Sequence, residues 1–217
     1  FLGCAAAYVL ASGDRTILRS FGRPEQGAMR LPLLLGGGVF LLLLGGYTLL
    51  SPWLDLSAIS GNLQAKEGFT AATFPLAALY ITFGNSLLEE LFFRGFAFLA
   101  LYRSGYKKLA WTFSAIAFAL YHVSIMDGWF HPALLVLLTS GLACAGLLFN
   151  ALDAKSQTIW PGWLVHMGAN LAINTIALHL WGSFDERRVS CALCLLALLS
   201  HLVDETTSGF YAVFHHT

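Results

Sequence analysis

The sequence predicts an all-α fold: a polytopic bundle of about six or seven transmembrane helices, the first of them truncated. Of the 217 residues, 57% are hydrophobic and 11% charged, whereas a soluble domain carries about 25% charged residues. Mean hydropathy is +0.69. Several apolar runs reach the roughly 20 residues that a helix needs to cross the hydrocarbon core. We expect one integral membrane domain over residues 1–217, with a motif-bearing core at about 70–181. The formal net charge is zero, which leaves no basic surface for nucleic acid. The expected surroundings are a lipid bilayer.

In chain order, Phe1–Ser12 is apolar but too short to cross and lacks the basic start of a signal peptide. It reads as the end of a span that begins earlier. Gly13–Arg30 is polar and carries Arg15, Arg19, Arg23 and Arg30. Leu31–Trp53 is a span whose Gly36-Gly37-Gly38 and Gly45-Gly46 permit close helix approach. Asp55–Gly68 is a connecting loop, and Thr70–Leu101 is long enough to cross with tilt or a break. Arg103–Lys108 is a basic turn, followed by the span Leu109–Ile125 and a tight loop to His131. Pro132 suits the first turn of a helix, which runs to about Leu152. Asp153–Thr158 reads as a connection to the span Trp160–Trp181, and Val189–Val203 is a short last apolar stretch. Cys191 and Cys194 have redox-motif spacing, but inside an apolar helix a cysteine packs as a small hydrophobe. Lysines and arginines number eight on one set of alternate loops and three on the other. That count places Gly13–Arg30 and Arg103–Lys108 in the cytoplasm.

One polar cluster breaks this pattern: Asn85-Ser86-Leu87-Leu88-Glu89-Glu90-Leu91-Phe92-Phe93-Arg94, flanked by uncharged sequence on both sides. Ionisable groups at mid-bilayer cost several kcal/mol each, face a protein interior or cavity, and mark function. Glu89 precedes Arg103 by 14 residues and His122 follows Lys108 by 14, so both lie roughly 20 Å from the same turn. His166 and Asn170 follow Lys155 by 11 and 15 residues, or roughly 16 and 22 Å. Three helices thus bring four polar groups to one level. Glu90 and Arg94 stand at i and i+4 and can pair along the helix. Glu89 points about 100° away and needs another polar partner, for which Asn85 is placed one turn back. Asn174, a turn beyond Asn170, reads as interhelical glue.

A glutamate and a histidine can share the deprotonation of water, and a second histidine with an asparagine can hydrogen-bond the oxyanion formed when that water attacks an amide. The set suits peptide-bond hydrolysis without a covalent intermediate. Glu89-Glu90-x-x-x-Arg94, Phe118-x-x-x-His122 and His166-x-x-x-Asn170 together resemble the three motifs of the CPBP family. These are the type II CAAX prenyl endopeptidases and their bacterial relatives, also called Abi proteins. The resemblance spans about Asn85 to Asn174, one motif to a helix, in family order. It implies that Glu89 and His122 activate water and that His166 and Asn170 stabilise the oxyanion. It also implies that Glu90, Arg94 and Phe118 support the site, with no cofactor and no metal. The substrate is then a peptide or a membrane-protein segment, and the small helical core is similar to bacterial members, in a bacterial cell membrane.

Two other readings use the same residues. Glu89, His122 and His166 could hold zinc with water in its fourth position. Alternatively the pocket binds a peptide without cutting it, as an immunity protein would.

Overall fold

A chain in hydrocarbon must satisfy its own backbone N–H and C=O groups, and helices do so within one segment. The computed structural model describes residues 16–53 except 26, 64–65, 68–126 except 71, 128 and 130–180, together with 3, 7 and 9–11. Among the described residues there is no strand. After a 3-10 helix at Thr16–Phe21 come five long helices. They are α1 (Arg30–Leu50), α2 (Phe74–Arg103) and α3 (Lys107–Met126), α4 (Pro132–Ser156) and α5 (Trp160–Leu180). The first four are long and apolar enough to cross a membrane. The last apolar stretch, with Cys191 and Cys194, lies outside the described residues, as does most of Phe1–Ser12.

Helix α5 is the most enclosed of the five, burying residues from Pro161 to Ala177, and it packs against α1, α2 and α4. Helix α3 packs against α2 and α4. The α1–α5 crossing is set by glycine. A Cβ on Gly168 would collide with the Gly36 carbonyl oxygen, and one on Gly36 would lie 2.9 Å from that of Leu164. The other glycines singled out in this span, Gly37, Gly38, Gly45 and Gly46, meet nothing within 4 Å. Of the expected glycine contacts on α1, Gly36 is therefore the one that touches a neighbour.

Helix α2 widens to π winding twice. Tyr80–Asn85 and Leu91–Ala100 are π-helical, on either side of an α-helical turn, Ser86–Glu90. In the first wide turn the Ser86 N–H reaches back to the Ile81 carbonyl, so the Thr82 carbonyl loses its usual i+4 donor. The Ser86 hydroxyl takes that place and itself accepts from Trp163 Nε1 at 3.0 Å. Asn174 Nδ2 donates to the Ala78 carbonyl at 3.2 Å and to Thr82 Oγ1 at 3.0 Å, the interhelical role expected of it. Wide turns of this kind recur at functional sites, and here one directly precedes the acidic pair.

The turn after α4 departs from expectation. The helix continues through Ser156 rather than stopping near Leu152, so Asp153 is helical and fully buried instead of lying in a connection. Gln157 closes the helix in the left-handed conformation (φ 57°) with its N–H on the Asp153 carbonyl. Arg103 clamps this cap: Nη2 donates to Gln157 O at 2.6 Å, Nε to Gln157 Oε1 at 3.1 Å, and Nη1 to Ser20 Oγ at 3.3 Å. The segment before α1, the α2–α3 turn and the α4–α5 turn therefore meet at one end of the bundle.

The glycine geometry has a measurable consequence. Gly168→Ala should destabilise the bundle by about 1–3 kcal/mol through overpacking, whereas Gly37→Ala should be nearly neutral. Thermal unfolding in detergent checks this, and equal midpoints for the two variants would refute the crossing.

Candidate active site

The acidic turn of α2 faces α3 on one side and α5 on the other. Glu89 is 2% exposed and Glu90 and Arg94 are 0% exposed, so their polar atoms must find partners inside the protein. Asn85 Nδ2 donates to Glu89 Oε1, as expected from its position one turn back. The other oxygen, Oε2, lies 3.7 Å from His122 Nε2 and 3.7 Å from His166 Nε2. The levels read from loop distances are thus met in space: α2, α3 and α5 bring Glu89, His122 and His166 to one point. His122 is the more open edge, its side chain 18% exposed against 3% for Glu89 and 4% for His166.

Both imidazoles are oriented through Nδ1. His122 Nδ1 lies 2.8 Å from the Phe118 carbonyl one turn back on α3. A carbonyl only accepts, so Nδ1 carries the hydrogen and a neutral His122 presents a lone pair at Nε2. His166 Nδ1 lies 2.7 Å from Glu90 Oε1, and a carboxylate likewise accepts, so Nδ1 donates there too. The same Oε1 accepts from Arg94 Nη1 at 3.0 Å. Glu90 therefore does more than pair along its own helix, the role its i, i+4 spacing to Arg94 suggests. It reaches across to α5 and sets the ring of His166, as carboxylates commonly orient functional histidines.

Aromatic rings complete the support. The Arg94 guanidinium carbon lies 4.1 Å from the Phe118 ring centroid and 4.7 Å from that of Phe149, a cation–π arrangement worth most when desolvated. Phe149 stacks on His166 at 5.7 Å, and Phe118 meets the same ring edge-on at 5.6 Å. Phe118 is thus a support in two ways, through its ring under Arg94 and its carbonyl on His122.

Asn170 stands one turn beyond His166 on α5. Its Nδ2 donates to the Ile81 carbonyl of the wide turn at 3.3 Å, which commits one of its two hydrogens. Sequence reasoning misses Phe149 and Asp153. Phe149 is one more aromatic in an apolar helix and carries no signal of its own. Asp153, beside Lys155 after a long uncharged run, looks like the polar border of a span. His179 lies near the end of α5, its Nδ1 2.7 Å from the Tyr47 hydroxyl, away from this cluster.

Residues 71–172 match the model of one protein family, type II CAAX prenyl endopeptidase Rce1-like. Over these residues, a little under half of its length, the chain is similar to that family. The match contains all three motifs and every residue of the cluster just described. With four membrane-length apolar helices, the protein is an integral membrane protein similar to the CAAX-type proteases, a hydrolase family. Neither the curated proteins nor the solved structures give a match.

The buried pair predicts a stability effect separate from chemistry. Arg94→Ala leaves Glu90 without its cation and removes the packing on Phe118 and Phe149, and breaking a buried pair costs about 3–5 kcal/mol. The yield and thermal midpoint of the purified variant should fall accordingly. A wild-type midpoint would show that Arg94 does not hold the helices.

Proposed function

We propose that this protein is an intramembrane glutamic-type endopeptidase that hydrolyses a peptide bond with water activated by Glu89 and His122. The observation that carries the reading is the convergence of acceptors. Glu89 Oε2 and the Nε2 lone pair of neutral His122 stand 3.7 Å apart, and two acceptors so placed need a donor between them. A water molecule supplies two hydrogens and meets both. In the reaction Glu89, assisted by His122, takes one proton from that water. The resulting hydroxide attacks the scissile carbonyl carbon, and the carbonyl oxygen becomes an oxyanion.

His166 and Asn170 serve that oxyanion. With Glu90 accepting from Nδ1, His166 in its imidazolium form also donates from Nε2, and Asn170 donates its second Nδ2 hydrogen. Preorganised donors aimed at developing charge are usually the largest single contribution to such catalysis. Collapse of the tetrahedral intermediate breaks the C–N bond, and the proton held by Glu89 passes to the departing amine. The products are a carboxylate and an amine. The proposed substrate is a peptide or membrane-protein segment reaching the site from the bilayer, with prenylated CAAX-type peptides the first class to test. A bacterial cell membrane is the proposed setting, and the reaction needs no cofactor.

A second reading is favoured by one observation. A carboxylate oxygen of Glu89 and one ring nitrogen each of His122 and His166 lie within 4.8 Å of one another. Three such donors can hold zinc, at about 2.0–2.2 Å per ligand. Glu89→Gln separates the two. On the glutamic reading the variant folds, still binds a farnesylated CAAX peptide, and loses about 10²–10⁴ in cleavage rate, while metal-stripped wild type continues to cut. Stoichiometric zinc in wild type, lost together with cleavage in the variant, would overturn it. Absence of cleavage by wild type over a panel of prenylated and unprenylated peptides would favour the peptide-binding role.

A further inference from the structure

A third carboxylate lies behind the acidic pair, and the hydrolytic scheme does not use it. Asp153 is 0% exposed, at the last turn of α4. Its Oδ1 accepts from the Gly162 backbone N–H at 2.8 Å. That N–H is one of the first-turn donors of α5, which have no partner inside their own helix. Gly162 stands one turn before His166. Asp153 therefore fixes the start of the helix that carries His166.

The same spot carries the other half of the His166 mounting. A Cβ built on Gly162 would lie 2.8 Å from Asp153 Oδ2, 3.0 Å from Asp153 Oδ1 and 3.0 Å from Glu90 Oε2. Two carboxylates from two helices thus close on one point of α5, and the missing side chain of Gly162 is what admits them. Glu90 is then confined on its Oε2 side by Asp153 and α5. Its Oε1 is the oxygen that receives Arg94 and His166.

We propose that Asp153, seated in the notch left by Gly162, is a positioning residue for His166. It sets the height of His166 by holding the first turn of α5, and its ring by bounding Glu90. It touches no reacting atom and acts through these two neighbours. The proposal rests on His166 being part of the active site, as proposed above, but it holds whether the site uses water alone or a cation.

The test is a set of variants of the full chain: Asp153→Ala, Asp153→Asn, Gly162→Ala and the double variant Asp153→Ala with Gly162→Ala. Each is purified in detergent and checked for a single cooperative unfolding transition. Two readouts are compared, cleavage of a farnesylated CAAX peptide and the 15N histidine spectrum, in which the Nδ1–H tautomer of His166 on Glu90 is a distinct signal. Asp153→Ala and Gly162→Ala should each lower kcat by about 10²-fold with KM little changed, since small misplacements cost that much. Both should also shift the His166 signal.

Asparagine retains the acceptor for Gly162 N–H, so Asp153→Asn should recover most of the lost kcat and the wild-type His166 signal. In the double variant the alanine methyl of residue 162 no longer meets the Asp153 carboxylate. Its effects should therefore be clearly less than the product of the two single losses, as expected for residues in contact. An unmoved His166 signal in folded Asp153→Ala overturns the proposal, as do additive losses in the double variant or an asparagine variant as poor as alanine. If wild type cuts no peptide, the hydrolytic reading fails, and the His166 signal still decides the positioning role.

Discussion

A guanidinium with no access to water governs this structure. Arg94 on α2 is fully buried, and a lone cation in low dielectric is too costly to persist. Its neutralising partner is Glu90, and the rings on either side of it come from α3 (Phe118) and α4 (Phe149). Glu90 in turn receives His166 from α5. Four helices are thus referenced to one charge. The helices cannot slide past one another without breaking a charge-assisted hydrogen bond or opening the guanidinium to apolar surroundings. The position of His166 relative to Glu89 follows from that restraint.

The backbone obeys the same rule of internal satisfaction. The wide turn at Tyr80–Asn85 shifts the Ser86 N–H to the Ile81 carbonyl and leaves the Thr82 carbonyl without its usual donor, a place the Ser86 hydroxyl takes. From α5, Asn174 adds a donor on Ala78 O and Asn170 one on Ile81 O. The irregular winding therefore ties α2 to α5 immediately before Glu89. Glycine sets how near the two sides can come. Gly168 against Gly36 brings α1 onto α5, and Gly162 lets two carboxylates crowd the first turn of α5. A Cβ at either glycine would collide with oxygen atoms.

How much of this was legible in the sequence depends on whether a residue's role is local or arises between helices. Glu90 with Arg94, Asn85 with Glu89 and Phe118 with His122 are one-turn relations, and helical periodicity exposes all three. The levels of Glu89, His122 and His166 were legible too, because the helices are long, antiparallel and joined by short turns. Crossings between helices were not. Nothing local distinguishes Gly36 from Gly37, yet one contacts α5 and the other meets nothing within 4 Å. Asp153 reads as part of a connection because an acid near Lys155 resembles a membrane border. Its burial depends on α5 presenting a backbone N–H and no side chain at Gly162, a fact of tertiary packing. The bond from His166 to Glu90 was hidden for a similar reason, since the acid already had a partner on its own helix.

The hydrogens in the cluster bear on how it can work. His122 spends its Nδ1 hydrogen on a backbone carbonyl and His166 spends its own on Glu90. If both rings were neutral, three lone-pair acceptors, Glu89 Oε2 and two Nε2 atoms, would face one another and repel. One extra proton resolves this. The two rings differ in what orients them: His166 rests on the Glu90 carboxylate and His122 on the Phe118 carbonyl. A cation at the same point would relieve the same repulsion with both rings neutral. The two chemistries thus share one arrangement of heavy atoms and differ in whether a proton or a metal answers three converging lone pairs.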